Sequence, residues 1–158
     1  RYTYLARPVR AAVRRALDET ANAADWTLGY CPSCGLWPRM AWMDSESQRR
    51  ILWCLGCNMT WGFRRFQCPF CMDADPRHHR FIEVDSNPSF RLDVCDICRR
   101  YLKTVTSTPC DAEMAYFETE HLDAAASDAG YIRDFIGFVA FDGKPSRALT
   151  EYIEKSST

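Results

Sequence analysis

Cys31-Pro-Ser-Cys34-Gly35 and Cys54-Leu-Gly-Cys57-Asn58 open a pattern that Cys68-Pro-Phe-Cys71-Met72 and Cys95-Asp-Ile-Cys98-Arg99 repeat. Eight of the nine cysteines therefore fall into four Cys-x-x-Cys pairs. Each such pair presents two thiolates on one side of a tight turn, half of a tetrahedral sulfur site. Two pairs complete a four-thiolate shell for zinc or iron. The gaps of 19, 10 and 23 residues between successive pairs match ribbon-type metal sites. Sequential pairing follows from the matched gaps, with Cys31, Cys34, Cys54 and Cys57 in one site and Cys68, Cys71, Cys95 and Cys98 in the other. The expected cofactors are two mononuclear metal ions, iron or zinc, since both accept tetrahedral sulfur.

The turn chemistry bears on how well each site can form. Backbone N–H groups must point at the sulfurs to offset their charge, which asks for a residue tolerant of positive φ after the second cysteine. Gly35 supplies it and Asn58 is the next-best choice. Met72 and Arg99 hold the equivalent places in the second site, so its geometry is expected to be different or strained. A disulfide framework is the competing reading of eight cysteines. Yet a Cys-x-x-Cys pair is too close in sequence to close a useful loop. Without a secretory segment, reduced thiolates in the cytoplasm are the better account. Cys110 stands alone and reads as a small apolar residue.

Around the cysteines the chain reads as α+β. Two consecutive rubredoxin-like or zinc-ribbon units with short antiparallel strands are flanked by an N-terminal and a C-terminal helix. Val9, Ala12, Val13, Ala16 and Leu17 recur at helical spacing, so residues 8–23 read as an amphipathic helix within a segment 1–25. The first ribbon spans 26–67, with strand-like residues 36–43, a polar turn 44–48, a strand 49–53 and a half-buried strand 59–66. The second spans 68–106, with strands 80–85 and 90–94 around the turn Ser86-Asn87-Pro88-Ser89, and a closing strand 101–105. In the C-terminal part, 107–158, a helix is expected from Thr108-Pro109. Asp111 serves as its capping-box acid, Met114, Phe117, His121, Leu122 and Ala125 form its apolar stripe, and Gly130 is its stop. Residues 132–140 are apolar, with helix and strand both open. The chain starts at Arg1 without methionine, which suggests a fragment or trimmed chain.

A formal net charge of −1 gives the chain no general preference for nucleic acid or anionic membrane. No apolar run approaches the roughly 20 residues needed to span a bilayer. Four protein ligands per metal leave no open coordination position, and no phosphate loop, catalytic triad or helical zinc-protease motif is present, so an enzyme is not expected. His78 and His79, adjacent at a strand entrance, are expected on opposite faces. Trp26, Trp37, Trp42, Trp53 and Trp61 crowd the first ribbon, where packing around a metal is the main reading and base stacking the lesser one.

Several stretches resemble the FdhE-type formate dehydrogenase accessory proteins. These are Cys31-Pro-Ser-Cys34-Gly35, Ile51-Leu52-Trp53-Cys54-Leu55-Gly56-Cys57 with Trp61, and Arg64-Arg65-Phe66-Gln67-Cys68-Pro69-Phe70-Cys71. Val94-Cys95-Asp96-Ile97-Cys98-Arg99-Arg100-Tyr101-Leu102-Lys103-Thr104 is the most specific of them, and Leu122-Asp123 and Gly130-Tyr131-Ile132-Arg133 close the match. The resemblance covers roughly residues 25–140. It implies a non-enzymatic, cytoplasmic maturation factor with rubredoxin-like sites. Its partner would be the catalytic subunit of a formate dehydrogenase or a similar exported molybdenum enzyme. Two features depart from the family: of its usual larger helical N-terminal domain only the helix at 8–23 reads as a remnant, and Cys110-Asp111-Ala112-Glu113 stands where a paired Asp-Asp is usual. Trp, Tyr and Arg are common interface hot spots, which makes Arg64, Arg65, Tyr101 and Tyr131 the candidate partner contacts. A nucleic-acid-binding zinc ribbon using Arg49, Arg50, Arg64 and Arg65, and a rubredoxin-like electron carrier, are the alternatives.

Overall fold

The computed structural model describes residues 26–84, 89–109 and 111–133. The helix expected at 8–23, Cys110, most of the turn at 86–89 and the apolar stretch beyond Arg133 lie outside the described residues.

Six short strands form one mixed sheet: β1 (Met40–Met43), β2 (Arg50–Trp53), β3 (Thr60–Phe63), β4 (His79–Glu83), β5 (Phe90–Cys95) and β6 (Tyr101–Val105). Their spatial order is β3-β2-β1-β6-β5-β4. Each half is an antiparallel three-stranded ribbon, and the halves meet through a parallel pairing of β1 with β6, with Met40 opposite Lys103 and Trp42 opposite Val105. The antiparallel ribbons agree with the sequence reading. The parallel seam does not appear in it, and it makes one continuous sheet out of two consecutive units. The first strand of one repeat adds to the last strand of the other, a head-to-tail arrangement.

Strand alternation gives the sheet two different faces. One carries Ala41, Leu52, Trp61, Phe63 and Leu102, which join the cysteines Cys31, Cys54, Cys57, Cys68 and Cys95 in a single buried cluster. The other carries Met40, Trp42, Trp53 and Val105 beside Leu92, Val94 and Tyr101, and the helices cover it. Leu52, Met40 and Leu92 are fully buried, so this thin sheet is packed on both sides.

The C-terminal helix is two helices, α1 (Ala112–Glu118) and α2 (Glu120–Asp128), rather than one starting at Thr108-Pro109. Asp111 is itself the N-cap, its carboxylate accepting from the N–H groups of Glu113 and Met114. The chain breaks at Thr119, whose hydroxyl donates to the carbonyls of Ala115 and Tyr116 at 2.8 and 3.0 Å. That break rotates the buried face. Ala115, Tyr116, Leu122 and Ala126 point inward, while Met114 and Phe117 of the expected stripe are exposed. Gly130 does end the helical region, at φ 78.

Lys103 fastens the helices to the sheet. Its ammonium, only 2 % exposed, donates to the carbonyls of Tyr116 (3.0 Å) and Thr119 (3.3 Å) and faces Asp123 at 3.3 Å. These bonds satisfy carbonyls at the end of α1. Burial nonetheless pushes its pKa from 10.5 down to about 8. Between those two values the unfolded chain holds a proton that the folded chain lacks, so the contribution of Lys103 to stability rises with pH across that window. In chemical denaturation of the metal-loaded protein, wild type should gain about 2 kcal/mol relative to Lys103→Met between pH 7.5 and 10. Parallel curves would contradict this account of Lys103.

Candidate metal centres

Three of the four cysteine turns share the same pair of backbone hydrogen bonds, and the fourth shares the first of them. The N–H of Cys31 donates to the carbonyl of Leu36 at 2.8 Å, and the N–H of Gly35 returns to the carbonyl of Cys31 at 3.0 Å. Cys54 with Met59 and Asn58, and Cys68 with Asp73 and Met72, repeat both bonds at 2.9–3.0 Å. Cys95 repeats the first, to Arg100 at 3.0 Å. The residue after each second cysteine is left-handed: Gly35 at φ 72, Asn58 at 62, Met72 at 64 and Arg99 at 56. The second site therefore keeps the left-handed position of the first in both of its turns. It carries the strain of two side chains at positive φ, about 1 kcal/mol each. Arg99 has compensating contacts: it stacks on the Tyr131 ring at 4.3 Å and donates to the carbonyl of Gly130 at 3.1 Å.

The turns converge in sequential pairs. Cys31, Cys34, Cys54 and Cys57 bring their sulfurs within 4.8 Å of one another, and so do Cys68, Cys71, Cys95 and Cys98. Paired distances are 3.5 Å (Cys31–Cys57) and 3.4 Å (Cys34–Cys54) in the first group. They are 3.6 Å (Cys68–Cys98) and 3.7 Å (Cys71–Cys95) in the second. A tetrahedral ion with bonds of about 2.3 Å sets its sulfurs about 3.8 Å apart. The geometry fits a single ion in each group and leaves no room for the atoms of a cluster. All eight cysteines are free of disulfides.

The thiols report the same crowding electrostatically. Hydrogen bonding with Cys34 drives the Cys31 thiol pKa far above its ordinary value, and bonding with Cys31 does the same to Cys54. Acceptance of those protons pulls Cys57 and Cys34 down. In the second group, bonding with Cys71 pushes Cys68 up to about 12, while bonding with Cys68 lowers Cys71 to about 2 and raises Cys98. Four sulfurs this close share protons because they cannot all be thiolates together, unless a cation neutralises them.

The two sites are tied to each other at several points. A Cβ on Gly29 would lie 1.8 Å from the carbonyl oxygen of Pro69, so the strand of chain leading into the first turn rests on the third turn. Trp37 meets Phe70 at 5.7 Å, extending an edge-to-face series from Trp26 through Tyr30. Arg50 donates to the carbonyl of Gln67 at 3.2 Å and pairs with Asp93 at 3.0 Å, reaching from β2 to β5. Trp26, Trp37 and Trp61 pack in the cluster that holds the cysteines, in accord with the packing reading, whereas Trp42 and Trp53 pack on the opposite face under α1.

Other candidate residues fall in varied places. Arg64 and Arg65 are exposed, between β3 and the third turn. Tyr101 and Tyr131 are interior: Tyr101 donates to Asp123 at 2.8 Å, and Tyr131 to Asp96 at 2.6 Å. Arg50 is buried as well, which removes it from any open basic strand face. His78 and His79 do not diverge. A short 3-10 turn at 76–78 lets both reach Asp73, at 3.2 and 2.9 Å. Asp73, His79 and Cys95 then form a further group of potential ligand atoms beside the second site. Sequence spacing concealed this group, because strand alternation was assumed one residue too early.

Fold and site together define a double four-cysteine metal-ribbon protein. No family model matches the chain. It is 27% identical over 120 residues to the protein FdhE of Salmonella paratyphi A, covering 73% of this chain and 38% of that protein. It superposes on the crystal structure of the FdhE protein from Pseudomonas aeruginosa with a TM-score of 0.59 and 24% identity, over 66% of this chain and 38% of that one. The chain thus spans under two fifths of the length of the FdhE proteins it matches. The chain is thus similar in sequence to FdhE proteins over these residues and shares the fold of one of them.

Because both sites feed one buried cluster and one sheet, losing one ion should weaken retention of the other. Cys34→Ser and Cys71→Ser are each expected to bind one metal equivalent fewer than wild type. Each should also lose the remaining ion to a chelator faster than wild type does. Elemental analysis before and during chelation measures both effects, and wild-type release kinetics in the variants would show independent sites.

Proposed function

We propose that this chain is the metal-ribbon part of a formate dehydrogenase accessory protein. In this reading it works in the cytoplasm, binding the catalytic subunit of a formate dehydrogenase, or of a similar exported molybdenum enzyme, while that subunit is assembled. The observation that supports this most is the FdhE match, in sequence and in fold, over a region built on two four-cysteine groups. The site chemistry agrees with a role other than catalysis. Four thiolates per ion close the coordination shell, so the ions, iron or zinc, would hold the fold or carry electrons rather than activate water. Among the described residues no helix is long and apolar enough to cross a membrane.

Arg64 and Arg65, exposed on the segment that links the ribbons, are the proposed contact residues, with Phe66 beside them. Arginine and aromatic side chains together are the usual composition of an interface centre. Tyr101 and Tyr131 would act through the scaffold that holds the helices and the last cysteine turn, because both are interior. Co-purification from cells producing the dehydrogenase tests the proposal. Wild type should retain the catalytic subunit, and the Arg64→Ala/Arg65→Ala variant should retain several-fold less, since removing interface arginines commonly costs more than 1 kcal/mol each. Equal retention would take these arginines out of the interface, and no retention by wild type would overturn the partner assignment.

A further inference from the structure

Beneath the segment 64–70, where the chain passes from the first ribbon to the second, lies a cleft of about 170 Å³. Arg50, Arg65, Arg80, Arg91 and Arg100 line it, and among the described residues the only carboxylate in its lining is Asp93. Asp93 is shared: it pairs with Arg50 at 3.0 Å and Arg91 at 2.9 Å, and accepts from the Thr104 hydroxyl at 2.9 Å. Arg80 is paired with Asp96 at 2.8 Å. With Arg80 set against Asp96, the lining still holds more arginines than carboxylates. Arg50 lines the cleft as a residue 4 % exposed; its Nε–H has no hydrogen-bond partner among the described residues but is itself shut off from the open space.

The cleft also has flat apolar surface. Phe66 and Phe81 belong to its lining, yet each is about three-fifths exposed (62% and 61%). Each carries a guanidinium over its ring, Arg65 at 5.5 Å and Arg91 at 5.2 Å. Planar forks of donors suit phosphate oxygens. Exposed aromatic rings next to them suit the face of a heterocycle, which stacks on such rings in nucleotide-binding grooves.

We propose that this arginine cleft binds a phosphate ester carried on a planar ring, a nucleotide-like ligand, next to the second metal site. The phosphate lies among the guanidiniums and the ring stacks on the exposed phenylalanines. The inference does not depend on the partner assignment, and its test uses the isolated, metal-loaded chain. Calorimetric titration compares AMP, inorganic phosphate, adenosine and a short polyglutamate peptide. AMP should bind saturably and at least about fivefold more tightly than inorganic phosphate, the margin expected of one stacked base. Arg65→Ala should weaken both AMP and phosphate about tenfold. Phe81→Ala should weaken AMP about fivefold and leave phosphate unchanged. Arg77→Ala, an exposed arginine outside the cleft, should change neither.

Metal content is measured on every variant, and should Arg65→Ala lose metal, the Phe81→Ala comparison decides. The proposal fails if AMP binds no more tightly than phosphate, or if Phe81→Ala leaves its affinity intact. It also fails if the polyglutamate peptide binds more tightly than AMP, which would mark the cleft as a seat for an acidic protein segment.

Discussion

Four sulfurs held within 4.8 Å of one another cannot all carry charge unless a cation lies among them. That constraint organises most of this molecule. It requires tight turns whose backbone N–H groups face the thiolates, and therefore left-handed residues at 35, 58, 72 and 99. It requires short strands to deliver the turns in pairs. It also supplies the stability that six strands of four to six residues lack by themselves. Structural zinc contributes on the order of 10–16 kcal/mol in small peptides, comparable to the entire net stability of a typical domain.

The head-to-tail sheet turns two such sites into one cooperative object. A ribbon standing alone would present both outer strands to solvent. Here β1 and β6 cover each other, and the buried cluster that contains five of the cysteines and touches two more runs across that seam. Gly29 against Pro69, Trp37 against Phe70 and Arg50 against Asp93 all cross between the halves. The opposite face is closed by α1 and α2 and fastened by Lys103. The side of the sheet that bears the cysteine groups thus keeps an open, charged cleft while the side that bears the helices is filled.

Local features were the legible ones. Cys-x-x-Cys spacing is a short-range property of the turn, so the ligand groups and their pairing could be read from residue numbers alone. The alternation of Met59, Trp61 and Phe63 followed from period-two burial, whereas the strand 101–105, read as a closing strand, is buried at every position. Features that depend on distant residues were not legible. Nothing near Trp42 announces Val105 as its parallel neighbour. Thr119 broke the expected helix because its hydroxyl found carbonyls of its own chain, and that moved the inward face from Met114 and Phe117 to Ala115 and Tyr116. Met72 and Arg99 read as signs of a different turn because local preference disfavours them. The pull of four converging sulfurs prevails over a strain of about 1 kcal/mol per residue. Burial of Arg50, Tyr101 and Tyr131 was equally invisible, since each looks like a surface residue until its partner across the sheet is known.

The account rests on two closed, mononuclear four-thiolate sites that together hold one sheet. Metal quantification of the anaerobically purified chain, combined with far-UV circular dichroism during chelation, tests this most directly. It predicts two metal equivalents per chain, iron, zinc or both, and loss of the β-sheet signal as they are withdrawn. A fully folded chain that holds fewer than two ions, or one whose cysteines are joined as disulfides, would contradict it.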